Sequence, residues 1–194
     1  MVNGLYKHIK ELWKKPTREF MQPKLIAWRA GNAIEVVDKP LRLDRARNLG
    51  YKAKEGFSVV RVRVIRGGHK RERAGVKGRK TRKQTIRKTL KMSYQWIAEM
   101  RAARRFNKLE VLNSYWVGKD GKHYFYEIIM VDPESPSIKK DKQVGFVAKG
   151  ANRKRVERGL TAGAKKSRGL MGKLGKSPKL KVRPSLRAHG RKGK

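Results

Sequence analysis

Two stretches concentrate the residues that could do chemistry. RGGHKRERAGVKGRKTRK (66–83) and RGLMGKLGKSPKLKVRPSLRAHGRKGK (168–194) place a lysine or arginine at nearly every second or third position, with glycines between them. Side chains of this kind bind phosphate oxygens, and glycine, lacking a Cβ, lets the backbone come close to a polyanion and turn between contacts. A merely solvated charge run has no need of that glycine spacing. In the first stretch the candidate ligands are Arg66, His69, Lys70, Arg71, Arg73, Lys77, Arg79, Lys80, Arg82 and Lys83. The second offers Lys173, Lys176, Arg183 and Arg187, and ANRKRVERG just before it adds Arg153, Lys154 and Arg155.

Other chemistries lack their residues. The absence of cysteine excludes a disulfide framework, a Cys-ligated zinc site and a thiol nucleophile. His8, His69, His123 and His189 are scattered, none in an HxxxH or HExxH pattern, and the carboxylates form no closely spaced pair outside ordinary surface positions. GGHKRERAGVKGRK lacks the GxxxxGK[ST] spacing of a phosphate loop, and RGLTAGAKK has no strand before it. No enzyme activity, cofactor or metal is expected. No apolar run reaches the eighteen or so residues of a membrane span, and MVNGLYKHIKELWKK carries charges where a signal peptide needs an apolar core. A soluble, unprocessed, cytosolic protein is the expectation.

With 53 Lys+Arg against 15 Asp+Glu, the formal net charge is +38, which points to a polyanionic partner. The charge is uneven. Residues 66–91 carry 12 basic and 1 acidic side chains and 138–194 carry 20 and 2, whereas 92–137 carry 6 of each. That balanced segment also gathers the aromatic and apolar residues, while the last 57 residues hold a single aromatic, Phe146. Composition therefore places an apolar core within 1–137, interrupted by a basic loop at 66–91, and a basic extension over 138–194. Alone, such an extension cannot bury enough apolar area to offset its conformational entropy.

Periodicity supplies the elements that must position these side chains. Leu5, His8, Ile9, Leu12 and Trp13 have helical spacing, ended by Pro16, and Leu25–Ala30 reads as helix after Pro23. Asp44 is placed to cap a short basic helix that Gly50 closes. FSVVRVRVIR alternates with period two, so Val60, Val62 and Val64 share one face and Arg61 and Arg63 the other. Leu90–Arg105 reads as a helix ending in Arg101, Arg104 and Arg105, cations that suit either the negative end of the dipole or a phosphate. LEVLNSYWVG and YFYEIIMVD flank an Asp120-Gly121 turn and form an antiparallel hairpin. The fold class is α+β, a small antiparallel sheet with helices on one face.

Neither basic segment has the apolar helical face of a membrane-surface peptide. Nucleic acid fits better, because neutralising many phosphates releases counterions and supplies sequence-independent affinity, and arginine also stacks on unpaired bases. Long basic arms suit an irregular folded RNA more than a uniform duplex, although composition also suits a DNA-compacting protein, and any K/R-rich octamer matches a targeting signal.

Three stretches narrow the choice. RLDRARNLGYKAKEGF (42–57), LEVLNSYWVGKDG with YEIIMVDP (109–133) and RGLTAGAKKSRGL (158–170) resemble, in order and in register, the archaeal and eukaryotic "e" type of large-subunit ribosomal protein fifteen, and the likeness runs from LYKHIKELWKK to RPSLRAHG. RPSLRAHG is more similar to the archaeal branch. The resemblance implies a structural, cytoplasmic constituent of the ribosome that binds large-subunit ribosomal RNA beside neighbouring ribosomal proteins, with an α+β core and extended arms. It implies RNA-contacting roles for Arg42, Arg45, Arg47, Lys52 and Lys54 in the first motif and Arg158, Lys165, Lys166 and Arg168 in the third. In the hairpin motif Asn113 is either an RNA contact or a strand or bulge residue held by backbone. One departure stands out: Gly163 is followed by Ala164, whereas the family usually places this glycine directly before the first basic residue. The expected mechanism is a core that docks through Arg61 and Arg63, with 66–91 and 138–194 ordered by RNA phosphates. A chain truncated after Pro136 is then expected to remain a soluble core.

Overall fold

The computed structural model describes residues 4–72, 85–88, 90 and 92–171, with the backbone alone over 69–72 and 85–88. The first helix, α1 (Leu5–Leu12), follows the expected spacing and delivers Trp13 and Ile9 to the core. The next, α2, spans Arg18–Ala30 and so begins well before Pro23. Thr17 caps it by accepting the Phe20 N–H at 3.4 Å. Pro23 lies inside the helix and its missing N–H removes one intrahelical bond, which the added turns and the burial of Trp28 outweigh.

The short strand β1 (Ile34–Val37) comes next, followed by α3 (Leu43–Asn48). Asp44 lies inside the first turn of α3 and makes no side-chain cap; Arg42 holds the N-cap position. Gly50, at φ +99°, closes the helix, with Gly50 N–H donating to Arg47 O and Tyr51 N–H to Ala46 O, the paired bonds of a left-handed C-terminal cap. Strand β2 (Phe57–Ile65) leads into the two-stranded ribbon of β3 (His69–Glu72) and β4 (Thr85–Lys88). Helix α4 starts at Tyr94, four residues later than its apolar stripe suggests, because Ser93 takes the N-cap and accepts the Trp96 N–H; it ends at Arg105.

The hairpin of β5 (Glu110–Lys119) and β6 (His123–Val131) forms as expected. The main sheet has the order β1-β2-β6-β5, antiparallel throughout. An α+β architecture around a small antiparallel sheet is thus what the chain adopts, with one correction: helices cover both faces. Tyr126, Ile128 and Met130 of β6 join Val60, Val62 and Val64 beneath α4, while Phe125, Ile129 and Val131 face Trp28, Trp13 and Ala46 on the other side. The run YFYEIIMV carries apolar or aromatic residues at both parities, and a central strand with two apolar faces must be buried on both. Bulges after Val111 and after Trp116 turn Leu112 and Val117 into the Trp28 core.

The core also runs past residue 137, where composition places its end. After β6 come α5 (Pro136–Lys139), two short 3-10 turns (Gly145–Ala148 and Gly150–Asn152) and α6 (Ala162–Ser167). Ile138, Val144, Val147, Val156 and Ala164 are buried against the sheet and its helices. A few apolar side chains spaced among many cations are enough to dock a segment on a core that already exists. A cut after Pro136 would remove all five side chains from the two cores.

Gly56 holds this junction. It adopts φ +86°, and a Cβ there would lie 2.6 Å from Ile138 Cγ1 and 3.0 Å from Ser135 Oγ. Gly56→Ala combines left-handed backbone strain with overpacking and should lower unfolding free energy by about 2–4 kcal/mol, read by urea denaturation.

Candidate nucleic-acid interface

The most cationic folded segment is held by a buried acid. Thr161 caps α6, its Oγ1 accepting the Ala164 N–H at 3.3 Å, and the same hydroxyl donates to Glu99 Oε2 at 2.5 Å. The other oxygen of Glu99 accepts a hydrogen bond from the Ser114 hydroxyl, which itself accepts from Gln95 Nε2 at 2.9 Å. Glu99 is 0 % exposed. Gly163 makes this approach possible, since a Cβ there would meet Glu99 Oε1 at 2.9 Å and Gln95 Cδ at 3.1 Å. Ala164 beside it is buried too, so the Gly163-Ala164 order puts the smaller residue where α6 crosses α4 and β5.

Further bonds tie the segment down. Trp96 Nε1 donates to Val156 O at 3.0 Å, Ser93 N–H donates to Ser167 Oγ at 2.9 Å, and Arg168 donates to Gly159 O at 2.8 Å. Gly169, at φ +73°, closes α6 with the same paired bonds that close α3. RGLTAGAKKSRGL is therefore packed and hydrogen-bonded against the rest of the protein, through a handful of buried contacts at long sequence distance that composition does not register.

Several expected phosphate ligands are engaged by partners within the protein. Arg61 pairs with Glu35 at 2.8 Å and lies over the Trp28 ring at 4.9 Å; Arg63 donates to the carbonyls of Trp28 and Arg29. Lys52 and Lys54 converge on Asp141 Oδ2 at 2.7 and 2.8 Å, and Lys54 also reaches Ser137 O. Arg42 lies 5.2 Å from the Trp13 ring and 3.8 Å from Asp44. Arg155 donates to Val111 O and Leu112 O, both at 2.9 Å, on the free edge of β5. Asn113, at the β5 bulge, turns its Oδ1 to the Ser114 N–H at 2.9 Å, the local of its two expected roles.

The remaining described candidates are outward. Arg45, Arg47, Arg66, Arg104, Arg105, Arg153, Lys154, Arg158, Lys165 and Lys166 are exposed, Arg47 against the Tyr6 ring and Arg66 against the Tyr124 ring. All but Arg66, which follows β2, fall into groups on α3, at the end of α4, and along 153–166. Lys14, Lys15, Lys39, Lys108, Lys119, Lys122, Lys139, Lys140, Lys142 and Lys149 are also exposed, and none of them is among the candidates read from the sequence. Only burial separates one lysine from another here. The strand β3 carries His69, Lys70 and Arg71, while Arg73, Lys77, Arg79, Lys80, Arg82, Lys83, Lys173, Lys176, Arg183 and Arg187 lie outside the described residues.

Burial raises the Glu99 carboxyl above the usual glutamate range, against the pull of the Ser114 and Thr161 hydroxyls and the Arg155 charge. Glu127 is raised likewise by burial, with the Tyr115 hydroxyl at 2.5 Å and the Leu41 N–H opposing. Asp141 is lowered, by Lys52 first and Lys54 second. Among the described residues no cluster of His, Cys, Asp and Glu could hold a metal ion, and no helix is long and apolar enough to cross a membrane. The arrangement is suited to binding a polyanion through many separate cations on a rigid frame.

Comparison with known proteins matches this chain to a family. The family model described as Ribosomal L15, of the L15e type, matches residues 4–189. The chain is also 48 % identical over 199 residues to the large ribosomal subunit protein eL15 of Methanocella arvoryzae, with 100 % of each chain covered.

Two measurements test the Glu99 node. Gly163→Ala should destabilise the protein by about 1–2 kcal/mol in urea, the overpacking exceeding the helix-propensity gain of roughly 1 kcal/mol. The second concerns pH. A carboxyl whose folded pKa is raised contributes stability that is complete below its unfolded pKa of about 4.3 and is lost as pH rises through the folded value. The melting midpoint of Glu99→Gln, relative to the unsubstituted protein, should therefore climb as pH is raised from about 4 upward.

Proposed function

The chain belongs to the Ribosomal L15 family, L15e type, a family of large-subunit ribosomal proteins, and from that premise we propose that it binds and stabilises folded large-subunit ribosomal RNA as a structural constituent of the ribosome. The supporting observation is how charge is sorted. Glu99, Glu127 and Asp44 are buried, Asp141 is held by two lysines, and exposed lysines and arginines predominate on α3, on α4 and along 153–166, where Glu157 is the one exposed acid. Such a surface attracts phosphate from every approach, and its affinity arises largely from counterion release.

The working surface in this reading differs from the Arg61/Arg63 face. Arg45 and Arg47, Arg104 and Arg105, and the cations of 153–166 make first contact, because their side chains are exposed and need not abandon buried partners. Lys52, Lys54, Arg61, Arg63 and Arg155 hold the frame on which those cations are spaced. The basic stretches 73–84 and 172–194 extend the contact to further phosphates, and neighbouring ribosomal proteins share the surroundings. No catalytic role belongs to this reading. DNA compaction, the other use the composition allows, is not favoured by a family match that runs nearly the length of the chain.

Cell lysate sedimented through sucrose at moderate and then high salt should carry the protein with the large subunit at both; release at high salt into a nuclease-sensitive DNA fraction would overturn the proposal. A chain ending at Met171 should bind ribosomal RNA more weakly. Its salt slope should flatten by about 0.7–0.9 for each phosphate that it no longer neutralises.

A further inference from the structure

Phe146 is an aromatic ring that the core does not use. It is 39 % exposed on the first 3-10 turn, although its neighbours Val144 and Val147 are buried. The ring is nonetheless held in place. The Phe146 carbonyl accepts from Asn152 Nδ2 at 2.6 Å and from the Lys149 N–H at 3.3 Å, which fixes the backbone of the turn. The Arg155 guanidinium lies 5.4 Å from the ring centroid, itself pinned by the two β5 carbonyls. The ring thus has a fixed cation over it and is 39 % exposed to solvent.

The surroundings select the chemistry of what could lie on it. Lys149, Arg153, Lys154 and Arg158 are exposed in the same loop, with Glu157 the one exposed acid of the stretch 145–160. Lys154 is the non-glycine residue with positive φ, +52°, among the described residues. A left-handed backbone costs an ordinary residue about 1–2 kcal/mol. Here it is held because Glu110 Oε1 accepts the Lys154 N–H at 2.7 Å and Lys154 O accepts from the Glu157 N–H at 3.1 Å. A partly exposed flat ring on a hydrogen-bonded turn, in a loop that carries several exposed cations, complements a ligand that joins a flat π surface to negative charge.

We propose that Phe146 is a stacking platform for an unpaired RNA base, whose flanking phosphates are taken by Arg153 and Lys154. The base must be unpaired, because a base inside a helix has both faces covered by its neighbours and shows only its edges. Arg155 acts as a positioning residue: it holds the ring from beneath and does not itself need to reach the RNA. This site rests on the RNA-binding reading above and adds to it an interaction that depends on the base and not only on charge.

The test compares binding of a short oligoadenylate and an abasic oligomer of equal length, using the full chain and the variants Phe146→Ala and Phe146→Trp, each checked for an unchanged melting midpoint. Stacking on an aromatic side chain strengthens binding by roughly five-fold or more per base. The unsubstituted chain should prefer oligoadenylate by at least that factor, Phe146→Ala should lose most of the preference without losing affinity for the abasic oligomer, and Phe146→Trp should restore it. Tight binding to both oligomers with the same preference in Phe146→Ala as in the unsubstituted chain overturns the platform and leaves RNA binding standing. Failure to bind either oligomer overturns RNA binding, and the platform with it.

Discussion

One carboxylate deep inside the protein determines how its most basic folded segment is presented. Glu99 comes from the middle of α4, Ser114 from β5 and Thr161 from the cap of α6, and their three side chains meet where no solvent reaches. An acid buried in this way is costly unless its oxygens are fully hydrogen-bonded, so the site tolerates few alternatives in shape. That demand explains Gly163 at the crossing point, the capping hydroxyl at 161, and the short helix that sets Lys165 and Lys166 on the surface.

The same logic governs the charge of the whole chain. With 15 acids for 53 lysines and arginines, full pairing is out of reach. Several of the acids fix the backbone or hold a cation: Glu35 on Arg61, Asp141 on Lys52 and Lys54, Glu110 on the Lys154 N–H, Asp120 on the turn of the main hairpin. Aromatic rings supply a second kind of partner, Trp13 for Arg42, Trp28 for Arg61, Tyr124 for Arg66 and Phe146 for Arg155. Cation–π contacts neutralise nothing, yet they hold guanidinium groups without requiring an acid. What is left outside is a surface of nearly one sign, whose mutual repulsion is relieved by salt or by a polyanion.

Much of the local structure is legible in the sequence because its causes are local. The β5–β6 hairpin follows from its turn and alternating flanks, β2 from its period of two, and α1 from its apolar spacing. Helix starts depart from the periodic pattern where a single cap decides them: Thr17 moves α2 earlier and Ser93 moves α4 later. Strand β1 escapes sequence reading, since four residues pairing with a neighbour more than twenty positions away leave little periodic signal. The second covered face is implicit in β6, whose apolar and aromatic residues occupy both parities, as those of a half-buried strand would not.

For the site, the sequence by itself determined the chemistry: a +38 chain without cysteine or a catalytic constellation, with motifs that resemble one ribosomal family. It also named the candidate cations. Only the tertiary structure decided which of them work outward. Arg61 and Arg104 are alike as sequence, but one lies across Trp28 against Glu35 and the other is exposed at a helix end. The reason is physical. Charge and composition are sums over residues, whereas burial depends on contacts such as Glu99 with Thr161, 62 positions apart, and such contacts exist only once the chain has folded.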